Sequence, residues 1–131
     1  MDRLQELRER FPNEPCGARL NARLVRLERG EAVLEADMTI DHSIVEGFIQ
    51  GGMTTAVADY AGVYAAMTMI AEKHMFWQHG SINFLRPVSI GMRVRAVAHV
   101  VNESRRSVLV EVRVMAAEKL CAVATLTFAK P

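Results

Sequence analysis

The sequence predicts an α+β fold in which an antiparallel sheet wraps around one long central helix. The first observation behind this is the run Gly-Gly-Met-Thr-Thr-Ala-Val-Ala-Asp-Tyr-Ala-Gly-Val-Tyr-Ala-Ala-Met-Thr-Met-Ile-Ala at 51–71. As a helix it is apolar almost all round, so it must be surrounded. The second is that segments on both sides of it carry apolar residues with period two, the pattern of half-buried strands. The third is size. At 131 residues, half of them apolar, the chain suffices for one domain, 1–131, to bury a core without disulfides or a structural metal.

The elements follow in order. Residues 1–11, Met-Asp-Arg-Leu-Gln-Glu-Leu-Arg-Glu-Arg-Phe, have an amphipathic helix pattern without the apolar core of a signal peptide, so a cytoplasmic chain is expected. Pro12 and Pro15 break that helix, and a strand is expected over about 18–27. Glu28-Arg-Gly-Glu31 is a turn into a second strand, 32–39, where Ala32, Leu34, Ala36 and Met38 alternate with polar residues; the two form a hairpin. A loop over 40–50 contains Gly47, and the central helix starts at Gly51-Gly52. Strand character resumes from Trp77 to Arg86 and stops at Pro87, with a turn at Gly91. Three more strands are marked by Val94–Val100, Val108–Val114 and Leu120–Phe128, giving four closing strands in a meander.

Charge excludes some partners. Lys and Arg number 16 against 15 Asp and Glu, a net charge of +1 with both signs interspersed, so neither nucleic acid nor an anionic membrane is expected. The central run reaches the roughly 20 residues that span a bilayer. Asp59 near its middle, its many small residues and the sheet-like remainder argue against a membrane helix. Cys16 and Cys121 are too few for a disulfide framework, and His42, His74 and His99 share no ligand spacing with them or each other. No metal or other cofactor is implied.

Asp59 is where a functional reading begins. An unpaired buried carboxylate costs on the order of several kcal/mol or shifts its pKa, so it needs a partner, a cavity or a chemical task. The structural alternative is an acid hydrogen-bonded to Thr55 or to a polar group of a partner subunit. Gly52, Thr55, Asp59, Gly62 and Ala66 fall on one helical stripe of small or polar residues, which something approaches closely. Asp59 is about 12 Å along the axis from Gly51 at 1.5 Å per residue. A carbonyl held by the amides of the helix start is therefore out of reach of the same chain's carboxylate. Two antiparallel copies of the helix would bring Asp59 of one against Gly51 and Gly52 of the other, so a homodimer or a dimer of dimers with a shared site is expected.

An antiparallel sheet curled around a helix is the hotdog architecture, and the residues resemble a known family of it. His42-Ser-Ile-Val-Glu-Gly-Phe-Ile-Gln-Gly-Gly52, then Asp59, then Ser81-Ile-Asn-Phe-Leu-Arg-Pro-Val-Ser-Ile-Gly91, is similar to the phenylacetyl-CoA thioesterase group of hotdog acyl-CoA thioesterases, within the 4-hydroxybenzoyl-CoA thioesterase superfamily. The resemblance covers about 16–129. It implies that Asp59 is the nucleophile or general base attacking a thioester carbonyl, and that Gly52, with Gly51, supplies oxyanion-hole amides at the positive end of the helix. It implies acyl-CoA as substrate.

Three positions differ from the family's pattern. Gln50 stands where His is common before the glycine pair; it donates a hydrogen bond but transfers no proton, and its structural alternative is a helix cap. Ile44 stands where Asn or Gln is common and orients neither water nor carboxylate. Trp77 stands where Ser or Thr is often found, with His79 and Asn83 nearby. Thr55 joins the substrate contacts, and Phe48, Tyr60, Tyr64 and Trp77 are candidate walls of the acyl pocket. Arg86, Arg93, Arg105 and Arg106 flank strand ends and are either solvated or bound to the phosphates of coenzyme A. Met67, Met69 and Met75 are core or pocket lining. A non-catalytic acyl-CoA binder is the rival reading, motivated by Ile44 and Gln50. The hydratase branch of the fold is disfavoured, because no His-acid pattern opens the helix.

Overall fold

A computed structural model describes residues 2–70 and 75–131. In chain order they form α1 (Arg3–Arg10), a 3-10 turn, α2 (Pro15–Arg19), β1 (Ala22–Glu28), β2 (Glu31–Asp37), a second 3-10 turn at Ile40–His42, α3 (Gly51–Met67), β3 (Phe76–Phe84), β4 (Arg93–Glu103), β5 (Ser107–Ala116) and β6 (Lys119–Ala129). Ala71, at the end of the expected helix, and His74 lie outside the described residues.

All strands pair antiparallel in one six-stranded sheet of order β1-β2-β4-β5-β6-β3. The period-two residues of β4, β5 and β6 are the core: Val94, Ala96, Ala98, Val108, Val110, Val112, Val114, Ala122, Ala124, Leu126 and Phe128 are all buried on the face that carries α3. Small residues on that face let the helix approach closely. A Cβ added at Gly62 would stand 3.1 Å from Leu126 and 3.2 Å from Phe128.

Two expectations are corrected. The four closing strands are not one meander: β4, β5 and β6 are, but β3 crosses over and pairs with β6 at the sheet edge. Strand pairing is set by contacts distant in sequence, which period-two spacing does not encode. The strand expected from 18 begins only at Ala22, because Pro15 opens a short helix, where its fixed φ suits the first turn, and Asn21 at φ 52 turns the chain into β1.

The β1–β2 hairpin turns at Gly30, φ 79, as expected. Its Gly30 N–H donates to Thr68 Oγ1 at 2.7 Å, which ties the hairpin to the C-terminal end of α3. Asp2 caps α1 by accepting from the Gln5 N–H at 2.9 Å. Among the described residues, no helix is long and apolar enough to cross a membrane.

Candidate active site

The first two residues of α3, Gly51 and Gly52, carry no side chains of their own. Gln50 precedes the helix in extended conformation, and its side chain makes no capping hydrogen bond. Instead the side chain folds back over the helix: a Cβ added at Gly52 would meet Gln50 Oε1 at 2.6 Å. Gly51 lies against Phe84, whose ring a Cβ would meet at 3.4 Å. Both glycines are exposed. First-turn amides have no carbonyl partner inside a helix, so this start presents N–H donors and the positive end of the helix dipole.

Asp59 is half-buried two turns further on. Among the described residues nothing donates a hydrogen bond to its carboxylate; Thr55, the expected partner, donates from Oγ1 to Gly51 O at 2.9 Å instead. Burial pushes the Asp59 carboxyl above the usual aspartate range. The Cys16 thiol on α2 lies within its field. Burial first, and then the negative charges of Asp59 and Glu14, push that thiol up.

The small stripe divides in two. Gly52, Thr55, Ala56, Asp59 and Val63 are partly or fully open, whereas Gly62 and Ala66 are buried. Gly62 is small because β6 of the same chain packs on it. The open part runs from the helix start to just past Asp59.

Tyr60 and Tyr64 are engaged with the N-terminal segment. Their hydroxyls donate to Glu14 Oε1 at 2.5 and 2.7 Å, and Arg10 Nε donates to Glu14 Oε2 at 2.8 Å. Phe11 stacks on Tyr60 with centroids 4.9 Å apart and meets Tyr64 edge-on at 5.3 Å. Burial opposes ionisation of Glu14, yet hydrogen bonds from Tyr60, Arg10 and Tyr64 hold its carboxyl below the usual range. Burial and then the Glu14 hydrogen bond push both phenols up. Tyr60, Val63, Tyr64, Met67 and Met75 also line a 340 Å³ hollow whose other wall is Arg10, Glu14, Pro15 and Cys16. Glu14, Arg10 and Cys16 had no local signal in the sequence, because only the docking of the N-terminal segment, from the end of α1 to α2, on α3 brings them here.

On β3 the residues separate by face. Gly80, Ile82 and Phe84 pair with Leu126, Ala124 and Ala122 and so share the α3 side; Trp77 pairs with Phe128. His79, Ser81 and Asn83 pair with Thr127, Thr125 and Val123 and point to the opposite side of the sheet, away from Asp59 of the same chain. Phe84 is on the α3 side yet stays half exposed at the sheet edge, and its alternation with Asn83 is the sequence signal for that side. Arg86 lines a 330 Å³ hollow with Ile49, Gly51, Thr54 and Phe84, beside the helix start. Arg106 lies in the β4–β5 turn beside Val108, whose β6 partner Phe128 is six residues, about 20 Å of strand, from the Ala122 level of Phe84. Arg93 is ion-paired to Asp37 at 2.8 Å. Phe48 is exposed on the loop before α3.

His42 is structural. The Thr39 N–H donates to its Nδ1 at 3.0 Å, and its Nε2 is 2.8 Å from Arg19 O, which accepts only from a protonated nitrogen, so the ring is the neutral Nε2–H tautomer.

Residues 46–122 match the family model described as the Thioesterase superfamily. The protein SSO1253 of Saccharolobus solfataricus, whose name proposes an esterase, is 27% identical over 109 residues, 83% of this chain and 72% of its own. A mutant of the phenylacetic acid degradation protein PaaI from Thermus thermophilus is 31% identical, covering 90% of this chain and 100% of its own with a TM-score of 0.83. A thioesterase family protein from Silicibacter pomeroyi is 26% identical over 95% of each chain, with a TM-score of 0.88.

Proposed function

The chain belongs to the Thioesterase superfamily, and on that premise we propose that it hydrolyses an acyl-CoA thioester to the free acid and CoA. The observation that carries the reading is Asp59: a half-buried carboxylate, raised by burial and accepting no hydrogen bond from the described residues. Poor solvation makes it a stronger base or nucleophile. Asp59 either attacks the carbonyl carbon itself, forming a mixed anhydride that water hydrolyses once the CoA thiol has left, or takes the proton from a water that attacks and passes it to the departing CoA sulfur. The carbonyl oxygen gains negative charge, the Gly52 and Gly51 amides stabilise it, and the C–S bond to CoA breaks. Preorganised donors of this kind contribute about 3 kcal/mol each. Thr55, Phe48, Trp77 and Arg86 are the remaining contacts of the proposal, and Phe84 joins them through its contact with Gly51. Thiol release from a panel of aryl, short and long acyl-CoAs tests it; a binding protein would rise in melting temperature with acyl-CoA yet release no thiol.

Gln50 is assigned as a further donor to the carbonyl, since its side chain lies over Gly52 and makes no cap bond. Gln50→Ala is expected to lower kcat roughly ten- to a hundredfold, as when one of several oxyanion donors is lost. Gln50→His should be tolerated. Parent-like turnover by Gln50→Ala would leave the amides as the sole donors.

The site is shared between two copies in this proposal. Asp59 and the helix start are about 12 Å apart in one chain by helix rise. Most of the exposed large hydrophobic residues come from the loop before α3 (Ile40, Ile44, Val45, Phe48) and from β3 and the segment after it (Phe76, Trp77, Phe84, Leu85, Ile90), with Val25 and Val101 elsewhere. An edge strand such as β3 also leaves a row of backbone groups unpaired. Apolar surface gathered in this way marks an interface. Sedimentation is expected to give a dimer or a dimer of dimers at micromolar concentration; a stable, active monomer would reject the shared site.

A further inference from the structure

Residues 12–16 run between two buried anchors, Phe11 and Gly17. Pro12, Asn13, Pro15 and Cys16 are exposed, and Glu14 is the one residue of the five that turns inward. Its carboxylate does not cap α2, whose start it precedes. It reaches across to α3 instead, where Oε1 accepts from the Tyr60 and Tyr64 hydroxyls at 2.5 and 2.7 Å while Oε2 accepts from Arg10 Nε at 2.8 Å. A carboxylate with three donors, one of them charged, is a strong fastening. The backbone bonds of the segment, Glu14 N–H to Phe11 O at 3.1 Å and Gly17 N–H to Glu14 O at 3.2 Å, tie it to itself and not to the helix.

The fastened segment lies close to the acid. A Cβ added at Gly17 would stand 3.3 Å from Tyr60 Oη, so the residue after Cys16 touches the side chain next in sequence to Asp59. Cys16 is exposed, yet its thiol feels the negative charges of both Asp59 and Glu14. The reading of Asp59 as the attacking or proton-taking group, on which this inference rests, makes its surroundings a matter of rate. We propose that Glu14 is a positioning residue for Asp59: by clasping residues 12–16 to the two tyrosine hydroxyls, it holds Cys16 as a wall beside the carboxylate and keeps bulk water from that side.

The clasp works through burial, which is what holds the Asp59 carboxyl above its ordinary range. The charged and titratable groups around it are Arg10 from α1, Cys16 from α2, and Asp59, Tyr60 and Tyr64 from α3, with Arg3 of α1 donating to Met67 O at 3.0 Å near the end of that helix. A clasp that served stability alone would alter the melting temperature and leave Asp59 untouched.

Titration of Asp59 tests this without any need for turnover. In protein carrying 13C at its aspartate carboxyls, the Asp59 signal, assigned by its loss in Asp59→Asn, is expected to titrate about half a pH unit lower in Glu14→Ala than in the parent. Loss of a nearby negative charge would act in the same direction, so a second variant separates the two causes. Tyr60→Phe/Tyr64→Phe keeps the charge of Glu14 and the rings that Phe11 packs on, removes both hydroxyl donors, and is expected to shift Asp59 the same way. The acid limb of kcat/KM for thiol release should move with it. Alkylation reads the wall itself: Cys121 is buried, so iodoacetamide reports on Cys16, which is expected to react about twofold faster or more in the double variant. An Asp59 titration unmoved in the double variant, or alkylation at the parent rate, overturns the proposal. A parent that releases no thiol from acyl-CoA defeats the hydrolytic reading instead, and the titration still decides whether Glu14 governs Asp59.

Discussion

Asp59→Asn is expected to lower turnover by two or more orders of magnitude while fold and acyl-CoA binding persist. Asn keeps the shape of the side chain and removes the charge that attacks a carbonyl or takes a proton from water. The fold should survive because the ionised carboxylate is not a stabilising group here. Burial raises its pKa in the folded chain, so whatever stability the group contributes is present at low pH and is lost as pH rises through the folded value. At neutral pH the Asn variant is therefore expected to melt at or above the parent temperature. Kinetics and thermal melting of the same preparation check both halves. Retained turnover would make Asp59 a structural acid.

Phe128→Ala is expected to be the most damaging single change to stability, costing about 3–5 kcal/mol. The ring is fully buried, pairs across the sheet with Val108 of β5 and Trp77 of β3, and lies against Gly62 of α3. Its loss leaves a cavity where α3 and β6 approach closely, and neither backbone can collapse into it without breaking strand pairing. Against a typical total of about 5–15 kcal/mol, the urea midpoint should fall by roughly a fifth or more. A change below about 1 kcal/mol would show that the helix is held elsewhere.

The parts of this molecule legible in the sequence are those fixed by local spacing. Alternation of Val108, Val110, Val112 and Val114 marks β5 because one face of that strand is wholly buried. Gly51-Gly52 after Gln50 marks the start of α3, and the isolated acid in an apolar run marks Asp59. What was not legible depends on which elements meet. The position of β3 beside β6 is a long-range pairing, and it alone decides that His79 and Asn83 face away from α3. Glu14 is an unremarkable acid before a proline until α2 docks and both tyrosines reach it. Gly62 and Ala66 belonged to the stripe by helical arithmetic, but the sheet covers that end of it.

The Asp59 carboxylate and the start of α3 are together expected to cleave a thioester. Thiol release from neutral acyl-CoAs, followed across pH with parent protein, tests it most directly. Release is expected to rise with pH as Asp59 ionises, with a midpoint above the ordinary aspartate value of about 3.9, and to disappear in Asp59→Asn. A protein that binds acyl-CoA, shown by a higher melting temperature, and releases no thiol at any pH would contradict it.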